Sequence, residues 1–214
     1  IQDGVVLLHS VVGCNFGSMS LHVAQDMRDI RQTCTVISDS DVVFSGEASL
    51  ERAVRSALEL FQPSVLFVVS GCVSEMIGDD IPAVLARIPH EAPLLHVEAA
   101  GFCGDAARGL EAGWLALLPL MKPPVPRPYP RPYPRSDPRP LVNLIGLGMD
   151  DPHAADDVEA LRAMLAPQAA LGAVLSRCTL EEVRRAPYAD VAFHWSRDAV
   201  AALKDLGVEL HASG

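Results

Sequence analysis

The sequence predicts an α/β chain with a mostly parallel sheet, on three observations. Short β-rich apolar runs alternate with helical patterns, glycine and cysteine stand just behind two of those runs, and one proline-rich stretch interrupts the alternation before it resumes. Val5–Leu8 reads as a strand, followed by a helix from about Ser20. Thr35–Ile37 is a second strand and leads to a helix from Glu47, in which Leu50, Val54, Ala57, Leu58 and Phe61 recur at helical spacing as one apolar stripe. Val65–Ser70 precedes a helix around Asp79–Ile88, and Leu94–Val97 precedes one near Asp105–Leu118.

From Lys122 to Pro140 the pattern collapses into PPVPRPYPRPYPRSDPRP, where proline fixes φ and removes backbone donors. The simpler reading is a semi-rigid spacer; docking of a PxxP segment into an aromatic groove is the alternative. Strand signals return at Val142–Ile145, Ala173–Leu175 and Val191–Phe193, with helices through Leu165 and at Asp198–Leu206. The expected organisation is therefore a Rossmann-like domain over 1–122, a linker over 123–140 and a second, partial Rossmann-like domain over 141–214. Gly146-Leu-Gly148 is only a fragment of a dinucleotide fingerprint, since the third glycine is missing.

The 214 residues carry 17 Lys and Arg against 27 Asp and Glu, a net charge of −10, which opposes an unaided grip on nucleic acid or anionic lipid. The apolar runs are far shorter than the ~20 residues of a membrane helix, so no membrane partner and a cytoplasmic location are expected. The five cysteines, 14, 34, 72, 103 and 178, are odd in number and widely spaced, unlike a disulfide framework. Reduced thiols or metal ligands remain.

In open parallel sheets, ligands collect at the carboxyl ends of strands. Cys14 falls there within HSVVGCNFGS, between Gly13 and Gly17; Cys72 falls there within SGCVSEMIGDDI, behind Gly71. The glycines allow a bulky ligand to approach the backbone, and a helix start favours the thiolate. The competing reading is that isolated cysteines are small buried hydrophobes, and Cys34 in TCTVI fits that reading best.

Taken in order, IQDGVVLLHSVVGC, SDSDVVFSGEASLERAV, SGCVSEMIGDDI, EAAGFCGDAARGLEAGW and LVNLIG resemble the nitrogenase component 1 superfamily. That superfamily includes nitrogenase catalytic subunits, cofactor-assembly scaffold proteins and protochlorophyllide reductase-like subunits. The resemblance implies that Cys14 and Cys72 are metal ligands to an iron–sulfur cluster of 4Fe-4S or 8Fe-7S type at the interface of paired subunits, with Gly13, Gly17 and Gly71 around it. It further implies a homologous partner in a dimer or tetramer, and an ATP-dependent iron-protein reductase as the electron donor. No catalytic residue is assigned. Asp79, Asp80 and Glu47 match family positions, but the simpler reading of each is helix N-terminal charge.

Two departures stand out. The family's further cluster cysteine lies upstream of the segment matching IQDG, so a truncated sequence or a reduced cluster is expected. Where members tether a large catalytic cofactor through a cysteine, this sequence reads FHWS, with Trp195, which cannot ligate iron, beside His194. The expected function is a nitrogenase-like oxidoreductase subunit relaying electrons. A non-catalytic assembly scaffold and a metal-free structural partner are the alternatives.

Overall fold

The computed structural model describes residues 1–24, 30–121, 138–145, 154–175, 177–194 and 210–212. They fall in two compact units, Gln2–Ala116 and Leu117–Gly214, the latter together with Ile1. The division lies ahead of the expected position 122 because Met121, at the end of the 3-10 turn Leu118–Met121, is buried with the second unit's Asn143, Ile145 and Leu175. The proline-rich stretch itself lies almost wholly outside the described residues.

The first unit runs β1 (Val5–His9), α1 (Val12–Ala24), β2 (Gln32–Cys34), α2 (Asp39–Phe44), α3 (Glu47–Phe61), β3 (Leu66–Ser70), α4 (Cys72–Ile77), α5 (Ile81–Ala86), β4 (Leu94–Glu98) and α6 (Ala106–Leu117). The four strands pair in the order β2-β1-β3-β4, and every pairing is parallel. On one face Val5, Leu7, Leu66 and Val68 pack against Leu50, Val54 and Ala57 of α3 and Ile81, Val84 and Leu85 of α5. Burying each of these larger side chains favours folding by about 1.5–3 kcal/mol. The apolar stripe read in the helix from Glu47 is thus the core face, with Leu58 and Phe61 packed partly against it.

Three local expectations are corrected. The first helix starts at Val12, not near Ser20, so Cys14 sits in its first turn. Glycine disfavours helix by about 1 kcal/mol per residue, which hides the signal at Gly13 and Gly17. Tertiary contacts offset this: Gln32 of β2 donates to Asn15 at 2.9 Å and accepts from Ser18 at 3.1 Å. The second strand is Gln32–Cys34, ahead of the expected Thr35–Ile37, because Thr35 turns its hydroxyl to the end of β1. Finally, the helix expected around Asp79–Ile88 is the shorter α5 (Ile81–Ala86), and a further short helix, α4, precedes it and ends where Gly78 takes a left-handed φ of 76°.

The second unit comprises β5 (Leu141–Ile145), α7 (Ala154–Leu165), β6 (Ala170–Val174), α8 (Leu180–Arg185), β7 (Val191–His194) and β8 (Leu210–Ala212). Its parallel sheet has the order β6-β5-β7-β8, the same winding as the first. Val142, Leu144, Val158 and Val174 centre its core. Buried Asn143 donates to the Ala186 carbonyl and accepts from the Ala173 amide, tying α8 and β6 to β5. The expected glycine pair 146/148, Trp195 and the helix at Asp198–Leu206 lie outside the described residues.

Candidate metal centre

In the first unit the chain moves from β1 outward to β2, then crosses back past β1 to β3 and continues to β4. Right-handed crossovers in opposite directions place α1 on one face and α3 with α5 on the other. The helices therefore diverge between β1 and β3, and a crevice opens beyond the carboxyl ends of those two strands. Cys14 and Cys72 open the helices that leave these two strands.

The two strand ends are bonded to each other. His9 pairs with Ser70 in register, and its carbonyl accepts from the Gly71 amide at 3.1 Å and the Ser74 hydroxyl at 2.8 Å. Any side chain at Gly71 would begin 2.4 Å from Ser10 Oγ, so packing of the chain on itself demands glycine there. Gly13 and Gly17 are different: nothing lies within 4 Å of where a side chain would start, and they leave open space beside Cys14. Cys14 is exposed and Cys72 half-buried, with Cys72 Sγ accepting from the Gly101 amide at 3.1 Å in the turn after β4.

Cys34 stays apart from this role. Its thiol donates to the Ser10 carbonyl at 3.3 Å, and burial, ahead of the nearby Cys14, pushes it up from the ordinary thiol range. Cys178 is buried in the second unit and donates to the Leu175 carbonyl, as a packed hydrophobe would. Cys103 is exposed in the turn after Ala100.

Below the crevice lies a buried polar network. His9 Nε2 meets Asp79 Oδ2 at 3.0 Å and His9 Nδ1 meets Thr35 Oγ1 at 3.0 Å. A carboxylate only accepts, so Nε2 carries the hydrogen and Nδ1 accepts from the hydroxyl. Asp79 Oδ1 takes the Gly46 amide and the Ser45 hydroxyl, each at 2.9 Å. Burial holds the His9 imidazole below its ordinary pKa against the raising effect of Asp79. The adjacent carboxylates thus do different work, since Asp80 caps α5 by accepting from the Ala83 amide, as its helix-start position suggests. Glu47, too, sits at a helix start, but its carboxylate reaches the Asp80 amide and Arg87.

Among the described residues, three buried side-chain polar atoms have no partner: Ser10 Oγ, Glu75 Oε1 and His96 Nε2. Ser10 adjoins Gly71, Glu75 lies on the Cys72 helix, and His96 lies on β4 across from β3. Around the same sheet end, Phe16, Phe44, Met76 and Phe102 are exposed. No three His, Cys, Asp or Glu side chains of the described residues gather closely enough to hold a metal alone.

A family model described as nitrogenase component 1 type oxidoreductase matches residues 1–211. The chain belongs to that family. The nitrogenase iron-molybdenum cofactor biosynthesis protein NifE of Rippkaea orientalis is 32% identical over 123 residues, 55% of this chain and 26% of that protein. Component CfbD of the Ni-sirohydrochlorin a,c-diamide reductive cyclase complex of Methanothermobacter thermautotrophicus is 32% identical over 105 residues, 49% of this chain and 28% of that protein. This component 1 chain thus spans about a quarter of the length of these curated relatives. The solved structure titled "Nitrogenase Cp1 at pH 5" covers 98% of it and is itself covered to 44%, with a TM-score of 0.71 at 20% identity, a likeness of fold.

Sequence reasoning places Cys14 and Cys72 behind apolar runs, and the structure has them in the first turns of the helices that follow β1 and β3. It misses the His9 network and the buried, unpartnered polar atoms of Glu75 and His96. The available signal was a histidine ending one strand and a second histidine inside another.

Proposed function

We propose that this chain holds part of an iron–sulfur cluster at an interface with a homologous subunit, as one half of a nitrogenase-like two-component reductase. One observation carries the reading: Cys14 and Cys72 stand on either side of the switch point, behind the hydrogen-bonded strands β1 and β3. The donor set fits, because thiolates are the usual ligands of such clusters and open space adjoins Cys14. A cluster supplies one-electron redox chemistry when bound.

The chain's own residues do the rest. Cys14 and Cys72 bind through sulfur, the Gly101 amide holds the Cys72 sulfur in place, and the His9–Asp79 network fixes the strand ends that carry both. Two thiols leave iron short of ligands, so the remainder come from outside the described residues. A homologous partner seated on Phe16, Phe44, Met76 and Phe102 would bring them and exclude water. The electron donor is an ATP-dependent iron-protein reductase. The net charge of −10 supports no nucleic-acid role, and among the described residues no helix is long and apolar enough to cross a membrane. A cytoplasmic location accompanies the proposal.

A second reading, a non-catalytic scaffold for metallocluster assembly, is favoured by the similarity to NifE. Anaerobic protein loaded with iron and sulfide, then given iron protein, ATP and a reductant, separates the two. ATP-dependent oxidation of the iron protein supports the relay; delivery of the cluster to an apo-acceptor without that oxidation supports the scaffold.

A further inference from the structure

We propose that Cys14 and Cys34 are a reversible dithiol–disulfide pair, a modification site that withholds the Cys14 sulfur from metal while the crevice is empty. The bond needs only this chain; its consequence for metal rests on the cluster reading above.

Two contacts lay α1 against β2. Ser18 of the helix donates to Gln32 of the strand at 3.1 Å, and Gln32 donates to Asn15 at 2.9 Å. The helix descends from the carboxyl end of the sheet while the strand, parallel to β1, climbs toward it. One turn back from Ser18 is Cys14, and one pleat on from Gln32 is Cys34, each on the same face as its neighbour. Four helical residues rise about 6 Å and two strand residues about 6.6 Å, so the two steps nearly match. Cys14 therefore stands over Cys34 as Ser18 stands over Gln32. The bonds at the top of the helix agree. Cys34 Sγ lies 3.3 Å from the Ser10 carbonyl oxygen and 3.9 Å from that of Val11, and the Val11 oxygen also accepts the Cys14 amide at 3.2 Å.

The two thiols differ in access. Cys14 is exposed, and beside it nothing lies within 4 Å of where a side chain would start at Gly13 or Gly17. Cys34 is half-buried and held from behind, where Val36 takes a φ of 56° and directs its amide at Cys34 Sγ at 3.4 Å. β-Branched residues rarely adopt that left-handed conformation, and here it turns the chain so that Cys34 faces the start of α1. Cys72 Sγ is engaged elsewhere, by Gly101 after β4, on the far side of β3 from β2.

The oxidant is a low-molecular-weight disulfide. The Cys14 thiolate attacks one of its sulfurs, the S–S bond breaks, one thiol leaves and a mixed disulfide remains on Cys14. The Cys34 thiolate then attacks the Cys14 sulfur, displaces the second thiol and completes the Cys14–Cys34 bond. The two cysteines lose two electrons and two protons, and the small disulfide gains both as two thiols. Excess thiol runs the exchange backward.

The test exposes the iron-free full chain to oxidised and reduced glutathione in set ratios, blocks remaining thiols with N-ethylmaleimide and maps unreduced tryptic peptides by mass spectrometry. Each cysteine lies on its own tryptic peptide, Cys14 within 1–28 and Cys34 within 32–52. These two peptides are expected to be joined to each other, with neither joined to Cys72, Cys103 or Cys178, and dithiothreitol should part them. Cys34→Ser should stop at a glutathione adduct on Cys14. A wild type that also stops at that adduct, or that links Cys14 to Cys72, overturns the pair. Protein first loaded anaerobically with iron and sulfide is expected to form the link roughly tenfold more slowly, because a metal-held sulfur is not free to attack. Equal rates with iron bound overturn the withholding of Cys14 from metal, and the cluster reading at that residue, while the pair stands. A wild type that binds no iron removes the cluster reading, and the peptide map still decides the pair.

Discussion

His9 and Asp79, 70 positions apart in the chain, meet at 3.0 Å with their side chains 0% and 1% exposed. The contact joins the end of β1 to the turn before α5, while the other Asp79 oxygen holds the start of α3 through Gly46. The loops around the Cys14 and Cys72 crevice are therefore set by one buried pair rather than by their own conformational preferences.

Asp79→Asn is expected to cost about 1–3 kcal/mol in urea unfolding, since an amide nitrogen would face the donors that Asp79 now accepts, leaving buried groups unpaired. Gly46→Ala should be damaging too, because a methyl group there would lie 2.5 Å from Asp79 Oδ2. A change under about 0.5 kcal/mol in both variants, the range of ordinary surface substitutions, would contradict the network's role.

The pH dependence has a definite sign. His9 and His96 both have folded pKa values depressed by burial, so below roughly 6.5 the unfolded chain binds more protons than the folded one. Stability should be full above that value and fall as pH drops from 7 toward 5. Asp41, lowered chiefly by the Ser38 amide and hydroxyl, adds stability that is lost only in a separate window, below its ordinary value of 3.8. Equal urea midpoints at pH 7.5 and 5.5 would refute the histidine part.

The core face of α3 predicts a clear contrast. Leu50→Ala, at a fully buried site, should cost about 2–5 kcal/mol, whereas Leu60→Ala, 75% exposed, should stay within about 0.5 kcal/mol. Chemical denaturation of the two variants checks it.

If a homologous subunit covers the crevice, Phe16→Glu and Phe44→Glu should convert an iron-loaded dimer to monomer in light scattering, because each places a charge in an apolar contact. A dimer unaffected by both would move the interface elsewhere.

How much of this was legible differs by element. α3 could be read because Leu50, Val54 and Ala57 repeat at helical spacing, and β3 because Leu66 to Ser70 is one apolar run between turn residues. α2 escaped notice because its start rests on Ser38 and Asp41, an N3 aspartate where a capping box usually has Glu or Gln. The start of α1 was hidden by Gly13 and Gly17, which weaken a helix that contacts with β2 restore. The cysteines could be placed at the sheet end from spacing, whereas the His9–Asp79 pair could not. A contact 70 positions long follows from strand order, and no local pattern encodes that.

The central claim is tested most directly by the iron content of anaerobically loaded wild type, Cys14→Ala, Cys72→Ala and Cys34→Ala. The account predicts that the first two variants lose most of their iron and the brown iron–sulfur absorbance while keeping the wild-type fold by circular dichroism. Cys34→Ala should keep its iron and lose about 1 kcal/mol of stability, as removal of a partly buried thiol does. Wild-type iron content in Cys72→Ala would contradict the account.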